Sequence, residues 1–251
     1  MLLPKSISAM TDKQDALQDS ELVVSALPTQ VSSSVWQEIV PLLPESASVV
    51  VASKGIEKKT HRLVSDIFFD LLPGEENKKR ITFLSGPSFA KEVAMQIPTV
   101  IVIAGYDKEQ IKRMQQAFHT SYFRVYGSND VIGVEIAGAL KNVIAIGTGI
   151  SDGLEYGLNS RSALITRGLH EIARLGSHMG ADPLTFMGLA GMGDLVLTCT
   201  GDLSRNRQVG LRIGKGETME EIEKSMRMVA EGVPTTESAY ELARQKSVEM
   251  P

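Results

Sequence analysis

Lys141 is the only charged residue between Glu135 and Asp152. It lies in GALKNVIAIGTG (138–149), where Ile136, Leu140, Val143, Ile144 and Ile146 set apolar side chains on every side of a helical wheel, the pattern of a fully buried helix. A bare ammonium in such a helix is costly. At four-residue spacing Gly133, Ala137, Lys141, Ala145 and Gly149 form one stripe, so small residues flank the lysine and let a backbone or a ligand come close. Its placement poses the question of what the lysine approaches.

Other residues invite chemistry less sharply. Lys54 follows the apolar run SVVVA and precedes Gly55, at the carboxyl end of a predicted strand where open α/β sheets bind ligands, although a solvated turn lysine fits as well. SGPSFAKE (85–92) offers Ser85 or Ser88 as an N-cap after a strand, suited to an anion or to an ordinary capped helix. GDLSRNRQVG (201–210) places Arg205, Asn206 and Arg207 in the first turn behind Ser204, where cations oppose the helix dipole. A phosphate would explain that, since arginine forks and helix-end amides both suit its oxygens; a surface arginine pair is the competing reading. In MGDLVLTCT, Asp194 and Thr198 fall one turn apart on one face, unless Asp194 merely caps its helix. The G-x-G-x-x-G fingerprint is absent, because GTGISDG (147–153) has the wrong spacing and GLAGMGD (188–194) follows no strand.

These residues need a scaffold. Up to about residue 127, the runs ELVVSALPT, ASVVVASKG, ITFLSGP, PTVIVIAG and YFRVYGS read as strands, alternating with helical patterns in SSSVWQEIVPLL, THRLVSDIFFDLL and DKEQIKRMQQAF. From Asn129 onward helices take over, at 131–150, 160–179 and, in shorter pieces, around 183–200, 205–213 and 217–230. The 251 residues, 43% hydrophobic and 22% charged, are globular in composition and carry a net charge of −4 without a basic run, which argues against nucleic acid. One cysteine, Cys199, excludes an internal disulfide and suits a reducing compartment such as the cytoplasm. The four histidines form no metal motif, apolar runs break before membrane-spanning length, and the first residues lack a signal-peptide pattern. Cys199 and the histidines read as structural or surface residues.

SKGIE (53–57), SGPSFAKE (85–92), GALKNVIAIGTGISDG (138–153), GDLVLTCT (193–200), SRNR (204–207) and VAEG (229–232), in this order, resemble the bacterial NAD(P)-dependent glycerol-3-phosphate dehydrogenase family. The resemblance runs from about residue 15 to the end. It implies an α/β fold, an incomplete Rossmann-type doubly wound sheet over 1–127, followed by an all-α substrate domain over 128–251 that is incomplete at its C-terminal end. The family's N-terminal βαβ unit with its glycine fingerprint and its last helices have no counterpart here. The cofactor implied is NAD or NADP, the residue that reads the ribose belonging to that N-terminal unit.

The resemblance makes Lys141 the general acid/base at the carbonyl of dihydroxyacetone phosphate, or at the C2 hydroxyl of glycerol 3-phosphate in reverse. Lys54 would be a second cation that, with burial, lowers the Lys141 pKa, and Asp194 an opposing carboxylate. It places Lys54, Ser88, Lys141, Asp194, Thr198, Ser204, Arg205 and Asn206 on the substrate, and Lys54, Gly86, Ala90, Arg205, Val229 and Glu231 on the cofactor. No metal, membrane or nucleic acid is implied; the product would feed glycerophospholipid synthesis in the cytoplasm, with a homodimer as the assembly. Two other readings stand beside it: a related hydroxy-acid dehydrogenase, and a truncated, non-catalytic chain that binds a phosphorylated metabolite or pairs with an intact subunit. In a sheet of order 3-2-1-4-5-6, ELVVSALPT would be the fourth strand and KSISAM a short third, leaving the apolar edge of Leu22, Val23, Val24 and Leu27 unpaired. Residues 1–251 alone are then expected to bind NAD(P)H negligibly, to show no reductase activity, and to be poorly soluble or associated.

Overall fold

A computed structural model of the chain describes residues 6–226 and 230–251. Five strands form one sheet in sequence order: β1 (Leu22–Ser25), β2 (Ser48–Val51), β3 (Ile81–Ser85), β4 (Thr99–Gly105) and β5 (Phe123–Ser128). Around and between them lie α1 (Lys13–Leu17), α2 (Thr29–Ile39), α3 (Val64–Leu71), α4 (Glu75–Arg80), α5 (Ala90–Ala94) and α6 (Lys108–Phe118). The helical half consists of α7 (Val131–Gly153), α8 (Gly157–His178), α9 (Pro183–Met187), α10 (Asp194–Thr200), α11 (Arg205–Gly214), α12 (Met219–Ser225) and α13 (Gly232–Gln245). A π-helical turn, Leu189–Gly193, leads directly into α10.

Every residue of β2 is buried, as its unbroken SVVV predicts for a strand covered on both faces. On one face Trp36 packs on Phe68 at 4.6 Å between ring centroids, and its indole N–H donates to Ser25 Oγ at 2.8 Å. The same core takes in Val131, Val134 and Ala190, so the start of α7 is packed on the sheet. β1, β2 and β3 run parallel, as do β4 and β5, but β3 and β4 pair antiparallel. The unbroken apolar run of PTVIVIAG reads the same in either direction, and the short α5 between these strands returns the chain without a full crossover.

The edge of the sheet differs from expectation in two ways. Residues 6–10 of KSISAM form no strand, and Lys5 lies outside the described residues. β1 is one of the two edge strands among the described residues, yet Leu22, Val23 and Leu27 pack partly buried against the cores on the two faces; of these four apolar residues only Val24 is exposed. What stands open at β1 is its row of backbone groups rather than an apolar side-chain surface.

α7 runs through the centre of the helical half, packed by α8, α10, α11 and α13. It is longer than the sequence pattern suggested, and by length and composition it would be apolar enough to cross a membrane, but most of it is buried inside the protein. Against α11 it makes backbone contact: a Cβ on Gly149 would lie 2.2 Å from Arg207 O, and one on Gly210 2.0 Å from Ile146 O. Gly210→Ala must therefore push the two helices apart, costing about 1–3 kcal/mol and lowering the melting temperature by about 5 °C. Gly147→Ala on α7, with nothing within 4 Å of the added carbon, should be neutral or mildly stabilising. Calorimetry of the two variants checks this, and equal melting temperatures would show that the crossing can yield.

Candidate active site

The side chain that Lys141 approaches is Asp194. Lys141, on the third turn of α7, is 7% exposed, and its Nζ donates to Asp194 Oδ1 at 2.5 Å and to Thr198 Oγ1 at 3.1 Å. Lys54, just beyond the end of β2, donates to the other carboxylate oxygen, Oδ2, at 3.1 Å. The Gly86 N–H reaches the same oxygen at 3.3 Å. The π-helical turn delivers Asp194 to the first position of α10, and Thr198 one turn later bonds back to the Asp194 carbonyl at 2.6 Å. Two of the three Lys141 protons thus have protein acceptors, leaving one donor for a ligand.

Burial lowers the Lys141 pKa to about 8, and the charge of Lys54 lowers it too, while Asp194 pulls it back up. Burial alone would raise the Asp194 carboxyl, but Lys54 and Lys141 hold it below the usual range, so the carboxylate stays ionised between two ammonium groups. Lys141 is left within reach of both protonation states near neutral pH.

A cavity of about 750 Å³ opens on this cluster. Ala26, Leu27, Pro28, Ala52, Ser53 and Lys54 wall it at the carboxyl ends of the parallel pair β1 and β2; Lys141, Asn142 and Thr198 form its floor. The opposite wall is Leu203, Ser204, Arg205 and Asn206, with Ser88, Phe89, Ala90, Lys91 and Glu231 completing it. Ser204 caps α11, its Oγ accepting from the Arg207 N–H at 3.2 Å. Asn206 is buried, donating to Asn142 Oδ1 at 2.9 Å and accepting from the Gly232 N–H at 2.9 Å. Arg205 is exposed on the wall and has no carboxylate within ion-pair distance among the described residues, which leaves its fork for an anion.

Of the residues singled out from sequence, Lys54, Ser88, Ala90, Lys141, Thr198, Ser204, Arg205, Asn206 and Glu231 meet at this cavity. Asp194 does not line it; at 1% exposure it stands behind the two lysines. Gly86 also lies off the wall, its N–H spent on Asp194 and its φ of +122° turning the chain out of β3. That turn delays α5 to Ala90, so neither Ser85 nor Ser88 caps it; Ser88 Oγ instead donates to Gly86 O at 3.1 Å. Val229 lies outside the described residues. Arg207, paired with Arg205 in the sequence reading, is buried and bonded to Asp152 and Asp202 instead.

Asn142 and Glu135 escaped the sequence reading. Asn142, a polar residue beside Lys141 in an apolar helix, was legible as an anomaly of the same kind. Glu135, its pKa raised to about 8 by burial, accepts from the Ser65 N–H at 2.9 Å and caps α3 well away from the cavity. Cys199 is buried with its thiol pushed up to about 11 by burial, as a packing residue would be. No cluster of three metal-ligating side chains occurs among the described residues.

Two family models match the chain, the NAD-dependent glycerol-3-phosphate dehydrogenase N-terminus over residues 1–111 and the corresponding C-terminus over 130–251. Among relatives, glycerol-3-phosphate dehydrogenase [NAD(P)+] of Geobacter sp. (strain M21) is 55% identical over 99% of this chain and 74% of its own. The enzyme of the same name from Leptospira biflexa is 52% identical over 100% of this chain and 75% of its own. The crystal structure of glycerol-3-phosphate dehydrogenase from Coxiella burnetii superimposes with a TM-score of 0.93 at 37% identity, over 99% of this chain and 75% of that one. A buried lysine held by an aspartate, a free arginine across a cavity at the strand ends, and matches of this extent agree: the chain belongs to the NAD-dependent glycerol-3-phosphate dehydrogenase family.

Proposed function

We propose that this chain interconverts dihydroxyacetone phosphate and glycerol 3-phosphate, using NADH or NADPH. The observation that carries the proposal is Lys141, buried on Asp194 with one proton to spare, across one cavity from Arg205, which has no ion-pair partner among the described residues. The wall fits the reactive end of a dinucleotide: it lies at the carboxyl ends of parallel strands, where Ala26, Ala52 and Ser53 leave room, and Glu231, held by the Thr29 N–H, lines it. Glu231, Ala90, Arg205 and Lys54 would hold it, joined by Gly86 and Val229. When bound, the cofactor supplies a hydride to the ketone C2.

The chain's own residues supply the rest. Lys141 hands its proton to the oxygen on C2; in the reverse direction the neutral amine takes the proton from the C2 hydroxyl. Asp194 and Thr198 aim the Lys141 Nζ, and Lys54 adds positive charge beside the oxygen where negative charge develops. Arg205, the Ser204 hydroxyl, the first amides of α11 and Asn206 receive the phosphate, with Ser88 placed to contact the substrate from the other wall. We assign the reaction to the cytoplasm, as supply for glycerophospholipid synthesis, and to a homodimer, for which the exposed Tyr156 and Leu158 where α8 begins offer an apolar face.

Loss of NAD(P)H fluorescence on adding dihydroxyacetone phosphate to the full-length enzyme tests the proposal. Binding of glycerol 3-phosphate without turnover would favour a non-catalytic role. Arg205→Lys tests the phosphate assignment, because the charge survives and the fork does not. The KM for dihydroxyacetone phosphate should rise on the order of tenfold or more, the worth of one charge-assisted hydrogen bond. At saturating NAD(P)H, unphosphorylated dihydroxyacetone should be unaffected; an equal loss for both ketones under that condition would remove Arg205 from the phosphate.

A further inference from the structure

Asp152 does not line the cavity, yet it carries more charge-assisted bonds than any other carboxylate in the helical half among the described residues. Its Oδ1 accepts from Arg161 Nε at 2.8 Å and lies 2.8 Å from Arg161 Nη2; its Oδ2 accepts from Arg207 Nε at 2.9 Å and lies 2.8 Å from Arg207 Nη2. The Asp152 side chain is 6% exposed and that of Arg207 9%. Arg207 Nη1 goes to Asp202 at 2.9 Å. One carboxylate at the end of α7 therefore grips α8 through Arg161 and α11 through Arg207.

The helix gains nothing from an acid in its last turn, where the macrodipole opposes negative charge. Nor is a buried ion pair in general more stabilising than apolar packing. Its use lies in what the neighbouring contact cannot do. α7 and α11 touch backbone to backbone through Gly149, Gly153, Gly210 and Gly214. Such a smooth contact sets how close two helices lie but offers few side-chain ridges to stop one sliding or turning on the other. The fork from Arg207 to Asp152 supplies that stop as a charged contact nearer the end of α7 than the neutral Asn206–Asn142 hydrogen bond that joins the same two helices. A shift of one residue along α11 would turn its first residues by about 100° and carry Arg205 off the cavity wall.

We infer that Asp152 is a positioning residue: through Arg207 it fixes the register of α11 on α7, and so the distance between the phosphate clamp Ser204–Arg205–Asn206 and the proton donor Lys141. The inference rests on the phosphate reading of Arg205 given above. In the full-length enzyme, Asp152→Asn should raise the KM for dihydroxyacetone phosphate about tenfold, as for loss of one charge-assisted hydrogen bond. At saturating NADH the kcat should stay within about twofold, and kcat/KM for unphosphorylated dihydroxyacetone should be unchanged. Replacing both partners, Asp152→Asn with Arg207→Gln, restores an uncharged hydrogen-bonded pair and should recover part of the KM.

A purely structural role would lower the melting temperature and leave KM in place, or reduce activity on both ketones alike; either result overturns the inference. Should Asp152→Asn fail to fold, Arg207→Lys, which keeps the buried charge and loses the fork, is read by the same split. Should the parent enzyme not reduce dihydroxyacetone phosphate, the function proposed above fails separately, and hydrogen exchange then reads the register. Faster exchange of amides 204–208 in Asp152→Asn, with amides 136–145 unchanged, supports it; unchanged exchange at 204–208 overturns it.

Discussion

Lys141→Met should reduce turnover of the full-length enzyme by about two to four orders of magnitude, the span expected for a general acid, while the Kd for NADH and NADPH stays near that of the parent. The side chain is nine-tenths buried, and methionine fills a similar volume, so the loss reports the missing proton rather than a collapsed site. The same assignment fixes a pH dependence. Reduction needs the ammonium, and with the Lys141 pKa lowered to about 8 its rate should fall as the pH rises through that value. Oxidation needs the free amine and should rise over the same interval. Opposite limbs in the two directions, measured as kcat/KM against pH, identify a single group working both ways; parallel profiles would rule Lys141 out as that group.

How far this site was legible in the sequence depended on what each residue advertises alone. A lysine between Glu135 and Asp152 in an otherwise apolar helix is conspicuous, because burying an ammonium requires a reason. Its partner Asp194 is not, since the two are 53 positions apart in the chain and nothing in their spacing joins them. Arg205 and Arg207 look equivalent in SRNR, both in the first turn of a helix with an opposed dipole. Two residues along a helix differ by about 200°, and that rotation sends one to the cavity and the other to Asp152. All five strands were visible as short β-branched runs, but strand direction was not, because the two-residue period is the same for parallel and antiparallel pairing. The misplaced serine cap has a local cause, the positive φ of Gly86, which lets three more residues pass before α5 begins.

Asp194→Asn is the substitution expected to cost the most stability. The cluster holds Lys54, Lys141 and Asp194, a formal charge of +1; removing the carboxylate leaves +2 in a site where Asp194 is 1% and Lys141 7% exposed. Leaving buried charges unpaired costs about 3–5 kcal/mol, which for a chain of this size lowers the melting temperature by about 10 °C. The Asp194 pKa is below its ordinary value in the folded state, so its stabilisation is complete above about pH 4 and is lost only as the pH falls through the folded value. The variant's deficit should therefore persist across the neutral range and narrow only in acid. Without the carboxylate, burial and Lys54 act on Lys141 unopposed, its pKa drops below about 8, and the alkaline limb of reduction moves to lower pH. Lys54→Met acts in the opposite sense: it leaves Lys141 and Asp194 as a neutral pair, should raise the Lys141 pKa and should change the melting temperature little, because the Lys54 side chain is 21% exposed. Calorimetry and pH profiles of the two variants separate these effects. Equal melting temperatures would mean that water reaches the cluster and neutralises it without Asp194, and limbs displaced the same way would mean that the two lysines do not share the carboxylate.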